Sequence, residues 1–296
     1  MRILIIAGGS SSERKISLIS GRAVWDALRG RGHEVKIFDF KKGVAHLEKA
    51  VRAHDITFPV MHGREGEDGN LYSFLRRTKK PYVGSDPKGA RIAFDKILFK
   101  KYCGKSGIPT ATWRTIKSLH DIEQFGFPSV LKAASGGSSH EVALLHTAED
   151  LRDLKVKKIL KLRDSFFVEE LLNGIEITIG VLHGKALPVV EITPPDGGWF
   201  DYENKYSGRS RETPFAPSVN GALQKKAQKI SESIHRDLKL GNYSRTDVIV
   251  RDGKLHVLET NTPGGVGLTP ESLFPKAGVA AGMSFGELLE RVIAGA

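Results

Sequence analysis

The sequence predicts an α/β protein, on three observations. Short apolar runs alternate with helix-like stretches from the N-terminus onward, the pattern of a parallel sheet with helices on its faces. Glycine-bearing loops follow two of the early strands directly, at the strand ends where open α/β sheets bind ligands. Nearer the C-terminus the pattern changes to two strand-like runs around Asp252-Gly253, a hairpin signal. The chain has 296 residues, 40% of them hydrophobic and 27% charged, long enough for two or three domains with cores of their own.

Residues 2–6 read as a strand that runs into Gly8-Gly9-Ser10-Ser11-Ser12. A helix follows, with Ile16, Ile19, Ala23 and Ala27 at helical spacing. Strands are expected at 35–40 and 56–60 with a helix between, and this first unit closes near Gly84-Ser85-Asp86-Pro87, which sets an N-terminal domain at 1–88. One helical stretch over 89–106 leads into a second unit, 89–172. It has strands at 129–132, 142–145 and 166–169 and a Ser/Gly loop at 135–139. The third unit, 173–296, opens with strands at 176–182 and 186–192, followed by a polar, aromatic-bearing loop over 194–217. Leu223, Ala227, Ile230, Ile234 and Leu238 then mark one face of a long amphipathic helix. The hairpin comes next, and the last helix opens with the capping box Ser284-Phe285-Gly286-Glu287.

Composition excludes several classes. The single Cys103 rules out a disulfide framework and a cysteine metal site. No apolar run approaches the ~20 residues of a membrane span, and the N-terminal strand is too short for a signal peptide, so a cytoplasmic protein without a membrane role is expected. The net charge of +11 raises nucleic acid as a partner. The basic residues, however, are scattered as pairs such as Lys41-Lys42 and Lys225-Lys226, with no stripe interleaved with aromatics. They read as solvated surface, with a few lysines serving an anionic substrate, and no nucleic-acid partner is expected.

The hairpin is the most informative segment. Arg245, Asp247, Glu259 and Asn261 lie at the ends of its strands farthest from the turn. Two carboxylates and an amide make the all-oxygen ligand set that magnesium needs, and an arginine beside them suits a phosphate or a developing oxyanion. Register decides whether they can act together, because side chains alternate faces along a strand. A two-residue loop would put Asp247 and Glu259 on opposite faces. A three-residue loop, Arg251-Asp252-Gly253 with a G1 bulge, shifts the register by one. It sets Arg245 opposite Glu259 with Asp247 diagonal to it, all four on one face, and is the loop expected here. The competing reading is a surface hairpin with solvated charges.

Three further loops carry candidates. Gly8 to Arg14 follows a strand and opens a helix, a place where backbone can approach an anion, but it is neither G-x-G-x-x-G nor a P-loop. Glu13 there reads either as a carboxylate for a substrate ammonium or as a helix-start acid facing the dipole. His62, in Met61-His-Gly-Arg-Glu-Gly-Glu-Asp-Gly69, stands at the C-terminal end of a strand, where such sheets bind ligands; an ordinary exposed histidine is the alternative. Lys132 ends a strand just before the Ser/Gly loop, as a phosphate-holding lysine would; a plain linker is the alternative.

Taken together, these segments resemble the D-alanine–D-alanine ligase family of the ATP-grasp superfamily. The resemblance covers nearly the whole chain, in the family's order. It rests on Gly8 to Arg14 with Ile16-Ser17-Leu18, on His62 to Gly69, and on Pro81-Tyr-Val-Gly-Ser85. Asp95-Lys96 and the Arg245-x-Asp247 and Glu259-x-Asn261-Thr262 pair complete it. It implies a three-domain ATP-grasp fold, a parallel α/β domain and two α+β domains clamping ATP, and ligation of two D-alanines through an acyl phosphate for peptidoglycan synthesis. The alternatives are a relative joining a different pair and a catalytically silent nucleotide-binding homologue.

By resemblance, Glu13 would bind the first D-alanine's amino group, linked to Ser138 and Tyr206, with His62 nearby. Lys96, Lys132 and Lys205 would bind ATP phosphates, and Glu169 and Glu176 adenine and ribose. Asp247, Glu259 and Asn261 would hold two magnesium ions, with manganese able to substitute. Arg245 and a backbone N–H of Gly264 or Gly265 would stabilise the oxyanion, and Ser272 would take the second substrate's carboxylate. Tyrosine at 206 goes with amine acceptors in the family, and a homodimer is implied. The chain departs from the family pattern at His140-Glu141, at Pro263-Gly-Gly-Val-Gly-Leu-Thr269, which is longer than usual, and at Glu170, a lysine in some relatives.

Overall fold

Three separate β-sheets organise the chain. They are seen in a computed structural model that describes residues 1–136, 141–162, 164–195 and 210–296. The first sheet is parallel, in the order β2 (Glu34–Asp39), β1 (Arg2–Ala7), β3 (Ile56–Pro59). The central strand β1 is buried on both faces, as a parallel strand covered by helices must be. Ile3, Ile5 and Ala7 pack with Val24 and Leu28 of helix α1 (Arg14–Gly30), whereas Leu4 and Ile6 pack with Leu47, Val51 and Leu75 on the other side.

Helix α1 turns a different face inward from the one its spacing suggested. Its buried residues are Ser17, Ser20, Gly21, Val24 and Leu28, and Ile19 is 51% exposed. The reason is close approach. A Cβ at Gly21 would stand 2.9 Å from that of Ala7, and Ser17 Oγ accepts from Gly8 N–H at 2.8 Å while donating to the Val60 carbonyl at 2.7 Å. Small residues let the helix N-terminus sit tightly on the strand ends that carry both glycine loops.

The expected helix over 89–106 is broken. Helix α2 (Pro87–Phe94) stops at Asp95, whose carboxylate caps α3 (Lys96–Lys105) by accepting from Leu98 N–H at 2.9 Å. That cap places Lys96 at the first turn of a new helix. The second sheet is antiparallel, in the order β4 (Trp113–Ile116), β7 (Phe166–Glu170), β5 (Ser129–Ala133), β6 (Val142–Leu145).

The third sheet runs β11 (Arg211–Pro214), β10 (Val190–Thr193), β8 (Ile175–Leu182), β12 (Tyr243–Arg251), β13 (Lys254–Asn261). The expected strand over 186–192 is divided into β9 (Lys185–Ala186), which pairs with β8, and β10 (Val190–Thr193). The long helix Gly221–Asp237 buries Ala227 and Ile234 near the third sheet. The C-terminal helices Leu273–Ala280 and Phe285–Ala294 supply Phe274, Leu288 and Val292 to the core that also holds Ile3 and Ile5. First and last parts of the chain therefore share one core.

The β12–β13 hairpin does not use the expected three-residue loop. Arg251 pairs with Lys254, leaving the two-residue loop Asp252-Gly253 with φ of 49° and 68°, the left-handed pair of a type I′ turn. The one-residue correction comes further along. Leu258 is an extra residue on β13, so the register shifts between Val248, opposite Val257, and Asp247, opposite Glu259. Arg245 lies opposite Asn261, not Glu259. The expected outcome, four polar residues on one face, is reached by a bulge in mid-strand.

The first sheet meets the third at Gly84 and Gly241. Gly84 N–H donates to Asn242 Oδ1 at 3.0 Å, and Asn242 Nδ2 donates to the Val292 carbonyl at 3.0 Å. Gly241 has φ +74°, and a Cβ there would overlap the Gly84 carbonyl oxygen. Gly241→Ala is therefore expected to lower stability by about 2–4 kcal/mol, from backbone strain plus overpacking. Urea unfolding measures it, and an unchanged midpoint would contradict this packing.

Candidate active site

The two glycine loops of the first sheet are tied together. Ser11 Oγ donates to the His62 carbonyl at 2.8 Å, and Ser10 N–H and Oγ donate to the Glu65 carboxylate at 3.2 and 3.1 Å. Arg14 is committed to structure, forked on Asp39 at 2.8 and 2.6 Å, and it holds that carboxyl down to about 2. Glu13 is buried at the start of α1 and makes no side-chain cap bond. Its carboxylate instead faces the second loop, 3.0 Å from where a Cβ on Gly63 would sit.

His62 is buried, not exposed, and its Nε2 has no hydrogen-bond partner among the described residues. Burial and the nearby Arg245 charge push its pKa down to about 4, so the imidazole is neutral at physiological pH. A buried, unpartnered nitrogen needs a reason, and a group on a bound ligand would supply one. Glu67 lies in the same loop. Its Oε1 accepts from Gly63 N–H at 2.6 Å, and Oε2 presses so closely on Gly265 that only glycine fits there. Burial and the neighbouring Glu13 push the Glu67 carboxyl up to about 8.

That shift has a testable sign. Between the ordinary carboxylate range and pH 8 the folded chain keeps a proton that the unfolded chain has lost. Stability at this group therefore falls as pH rises. Glu67→Gln is expected to raise the thermal midpoint relative to the parent at pH 8 and to leave it unchanged near pH 4. Equal midpoints at pH 8 would contradict the buried, neutral carboxyl.

On the hairpin, Arg245 forks onto Asp247 with Nε and Nη2 at 3.0 and 2.8 Å, and Asn261 Nδ2 donates to Asp247 Oδ2 at 3.1 Å. Thr178 of the adjacent β8 donates to Asp247 Oδ1. Glu259 faces Lys96, whose Nζ lies 3.4 Å from its Oε2 and also donates to the Gly136 carbonyl at 2.7 Å. Lys96 thus stands between the hairpin and the entry to the Ser/Gly loop. Asp247, Glu259 and Asn261 fit magnesium by donor type, two carboxylates and an amide gathered on one face. Arg245 and Lys96 engage the two carboxylates as seen, so a metal would exchange those contacts for its own.

Lys132 pairs with Glu169 Oε1, and Glu169 is almost fully buried, with a second ammonium, that of Lys100, against its other oxygen. Burial opposes ionisation of Glu169, but the two lysines outweigh it and hold the carboxyl down to about 2. Glu176 is half-buried on β8, and Glu170 is occupied in accepting from Thr112 N–H at 3.0 Å.

Gly264 N–H donates to Tyr72 Oη at 2.9 Å, and Gly265 N–H to the Thr262 carbonyl at 2.9 Å. Both expected oxyanion donors are therefore engaged in the turn as it stands. Ser272 Oγ accepts from Thr269 N–H at 3.1 Å and shares a bond with Thr269 Oγ1 at 2.9 Å. Ser138, Lys205 and Tyr206 lie outside the described residues. The structure also joins what the sequence left apart: Arg64 donates to Ser135 Oγ at 2.8 Å and to Asp164 Oδ2 at 3.2 Å, linking the first unit to the second.

Comparison with known proteins bears on the same elements. The family model described as the D-ala D-ala ligase C-terminus matches residues 105–294. A D-alanine–D-alanine ligase of Aquifex aeolicus is 37% identical over 297 residues, covering 99% of this chain and 100% of the relative. The chain belongs to the D-alanine–D-alanine ligase family. The ligase of Maridesulfovibrio salexigens is 35% identical over 300 residues, covering 99% and 97%. Among solved structures, the Bacillus anthracis D-alanine–D-alanine ligase complexed with ATP superposes with a TM-score of 0.85 at 29% identity, covering 100% of this chain and 97% of that one. The three sheets are accordingly those of the ATP-grasp fold found in this family.

Proposed function

We propose that this chain is an ATP-dependent D-alanine–D-alanine ligase making D-alanyl-D-alanine for peptidoglycan precursors. The observation that carries the reading is the position of Lys96. One ammonium touches the hairpin carboxylate Glu259 and the entry to the Ser/Gly loop, at the head of a helix that the Asp95 cap starts in place. Such a convergence suits a nucleotide triphosphate next to a carboxylate substrate. Full-length relationship to ligases of this name supports the substrate.

The chemistry has two steps. A D-alanine carboxylate oxygen attacks the γ-phosphorus of ATP, ADP leaves, and an acyl phosphate forms. The amine of a second D-alanine attacks that carbonyl, and phosphate leaves from the tetrahedral intermediate. Lys96 and Lys132, with Lys205, offset phosphate charge in the first step. Glu13, with Ser138 and Tyr206, holds the first ammonium, and the unpartnered His62 Nε2 lies close by to orient the same substrate.

Glu169 and Glu176 border the nucleoside. Arg245 faces the oxyanion, joined by Gly264 or Gly265 once its N–H changes partner. Ser272 takes the second carboxylate. Asp247, Glu259 and Asn261 would hold two magnesium ions, or manganese, which would neutralise phosphate oxygens in transfer.

The reading extends to a homodimer in the cytoplasm. No described helix is long and apolar enough to cross a membrane. Phosphate release from ATP, screened over D- and L-amino acids, tests the proposal. Release with D-alanine alone is expected. Release only with L-amino acids would point to a different substrate pair, and none with any acceptor to a silent homologue.

A further inference from the structure

Lys100 belongs to no motif singled out in the sequence, yet its side chain is 1% exposed. An unpaired ammonium at that depth would cost several kcal/mol. Its Nζ donates to Thr110 Oγ1 at 2.6 Å, and Thr110 Oγ1 donates to the Val257 carbonyl at 2.6 Å, which anchors the lysine to the hairpin strand. The same Nζ lies 2.5 Å from Glu169 Oε2, an ion pair rather than an aligned hydrogen bond. Glu169 Oε1 lies 2.5 Å from Lys132 Nζ, and only Lys132, 15% exposed, reaches toward the site.

Three charges therefore stand in series: plus, minus, plus. With Lys100 the set carries a net single positive charge, presented at Lys132. Without it, Glu169 and Lys132 form a neutral pair, and a neutral pair attracts a phosphate weakly. Glu169 would also be released from its inner contact and could turn both oxygens onto Lys132, drawing that ammonium away from the ligand.

We propose that Lys100 is a positioning residue for the nucleotide: by balancing Glu169 from behind, it leaves Lys132 a full charge and a fixed place for an ATP phosphate. This rests on the reading that Lys132 faces the nucleotide. The carboxylate that the family resemblance assigns to the adenine is, in this chain, the bridge between two lysines.

Steady-state kinetics of three variants of the full-length chain test it. Lys132→Met is the reference and raises KM for ATP. Lys100→Met, which does not touch the ligand, is expected to raise KM for ATP about tenfold, leaving KM for D-alanine within about twofold. Lys100→Arg restores the positive charge behind Glu169 and is expected to bring KM for ATP back to within about threefold of the parent. A merely structural lysine would show no such return.

An unchanged KM for ATP in Lys100→Met, alongside a raised one in Lys132→Met, would overturn the proposal and leave the site reading intact. An unchanged KM in Lys132→Met would overturn the site reading and the proposal with it. Should Lys100→Met fail to fold, Lys100→Gln, which can keep the bond to Thr110 without the charge, decides: KM for ATP raised about tenfold supports charge balance, and a parent-like KM refutes it.

Discussion

Glu259→Gln is expected to cut kcat by about a thousandfold, roughly 4 kcal/mol of transition-state stabilisation, while changing folding stability by less than about 1 kcal/mol. The two effects separate because of where the residue sits. Glu259 lies on the strand end beyond the Leu258 bulge, about a quarter exposed, and forms an ion pair with Lys96. Its packing contribution is small, and an amide of the same shape preserves it. Its proposed chemistry is not preserved, because a neutral amide would hold a magnesium ion far more weakly than a carboxylate would. The measurement is kcat with saturating ATP and D-alanine, beside a thermal melt. Retained turnover would remove Glu259 from the metal site; lost turnover with a collapsed melt would make it structural.

Arg245→Met is expected to lower kcat about 10²–10³-fold, the typical loss for one oxyanion donor, with KM for ATP little changed. Unlike Glu259, this residue also carries structure. Its guanidinium forks onto Asp247, itself buried, and removing it leaves that carboxylate with Thr178 and Asn261 among the described residues. Breaking a buried pair from one side costs about 3–5 kcal/mol, so a lower melting temperature is expected as well. Arg245→Lys separates the two roles: the charge beside Asp247 stays and the planar fork goes. Stability should largely return, while kcat stays depressed. Recovery of kcat along with stability would mean that Arg245 serves only to hold Asp247. His62 reports on the same change, because the Arg245 charge is one cause of its lowered pKa. In Arg245→Met that pKa should move up toward the ordinary value.

The parts legible in sequence are those whose chemistry is local. Glycine loops after strands, Asp95-Lys96 and the hairpin pairs declare themselves by residue type and spacing, and their order along the chain points to the family. The hairpin shows where such reading ends. The polar face is as expected and the loop is not, because Leu258 carries no mark of a bulge; β12 keeps an unbroken register with β8, and the extra residue falls on β13.

Helix α1 was misjudged for a related reason. Its inner face is built from serines and a glycine because the backbone of β1 is close, a distance that spacing does not encode. Lys100 reads as part of a scattered surface pair, and Glu67 as one charge among several in the loop that follows β3. Only the fold makes one the inner partner of Glu169 and presses the other against Gly265.

The most direct test of the ligase reading follows oxygen. D-alanine labelled with ¹⁸O in its carboxylate is turned over with ATP, and both products are examined by mass spectrometry. The expected result is D-alanyl-D-alanine together with inorganic phosphate carrying one ¹⁸O, because the carboxylate oxygen that attacks phosphorus leaves with it. Unlabelled phosphate, or phosphate released without dipeptide, would contradict the proposed function at its central step.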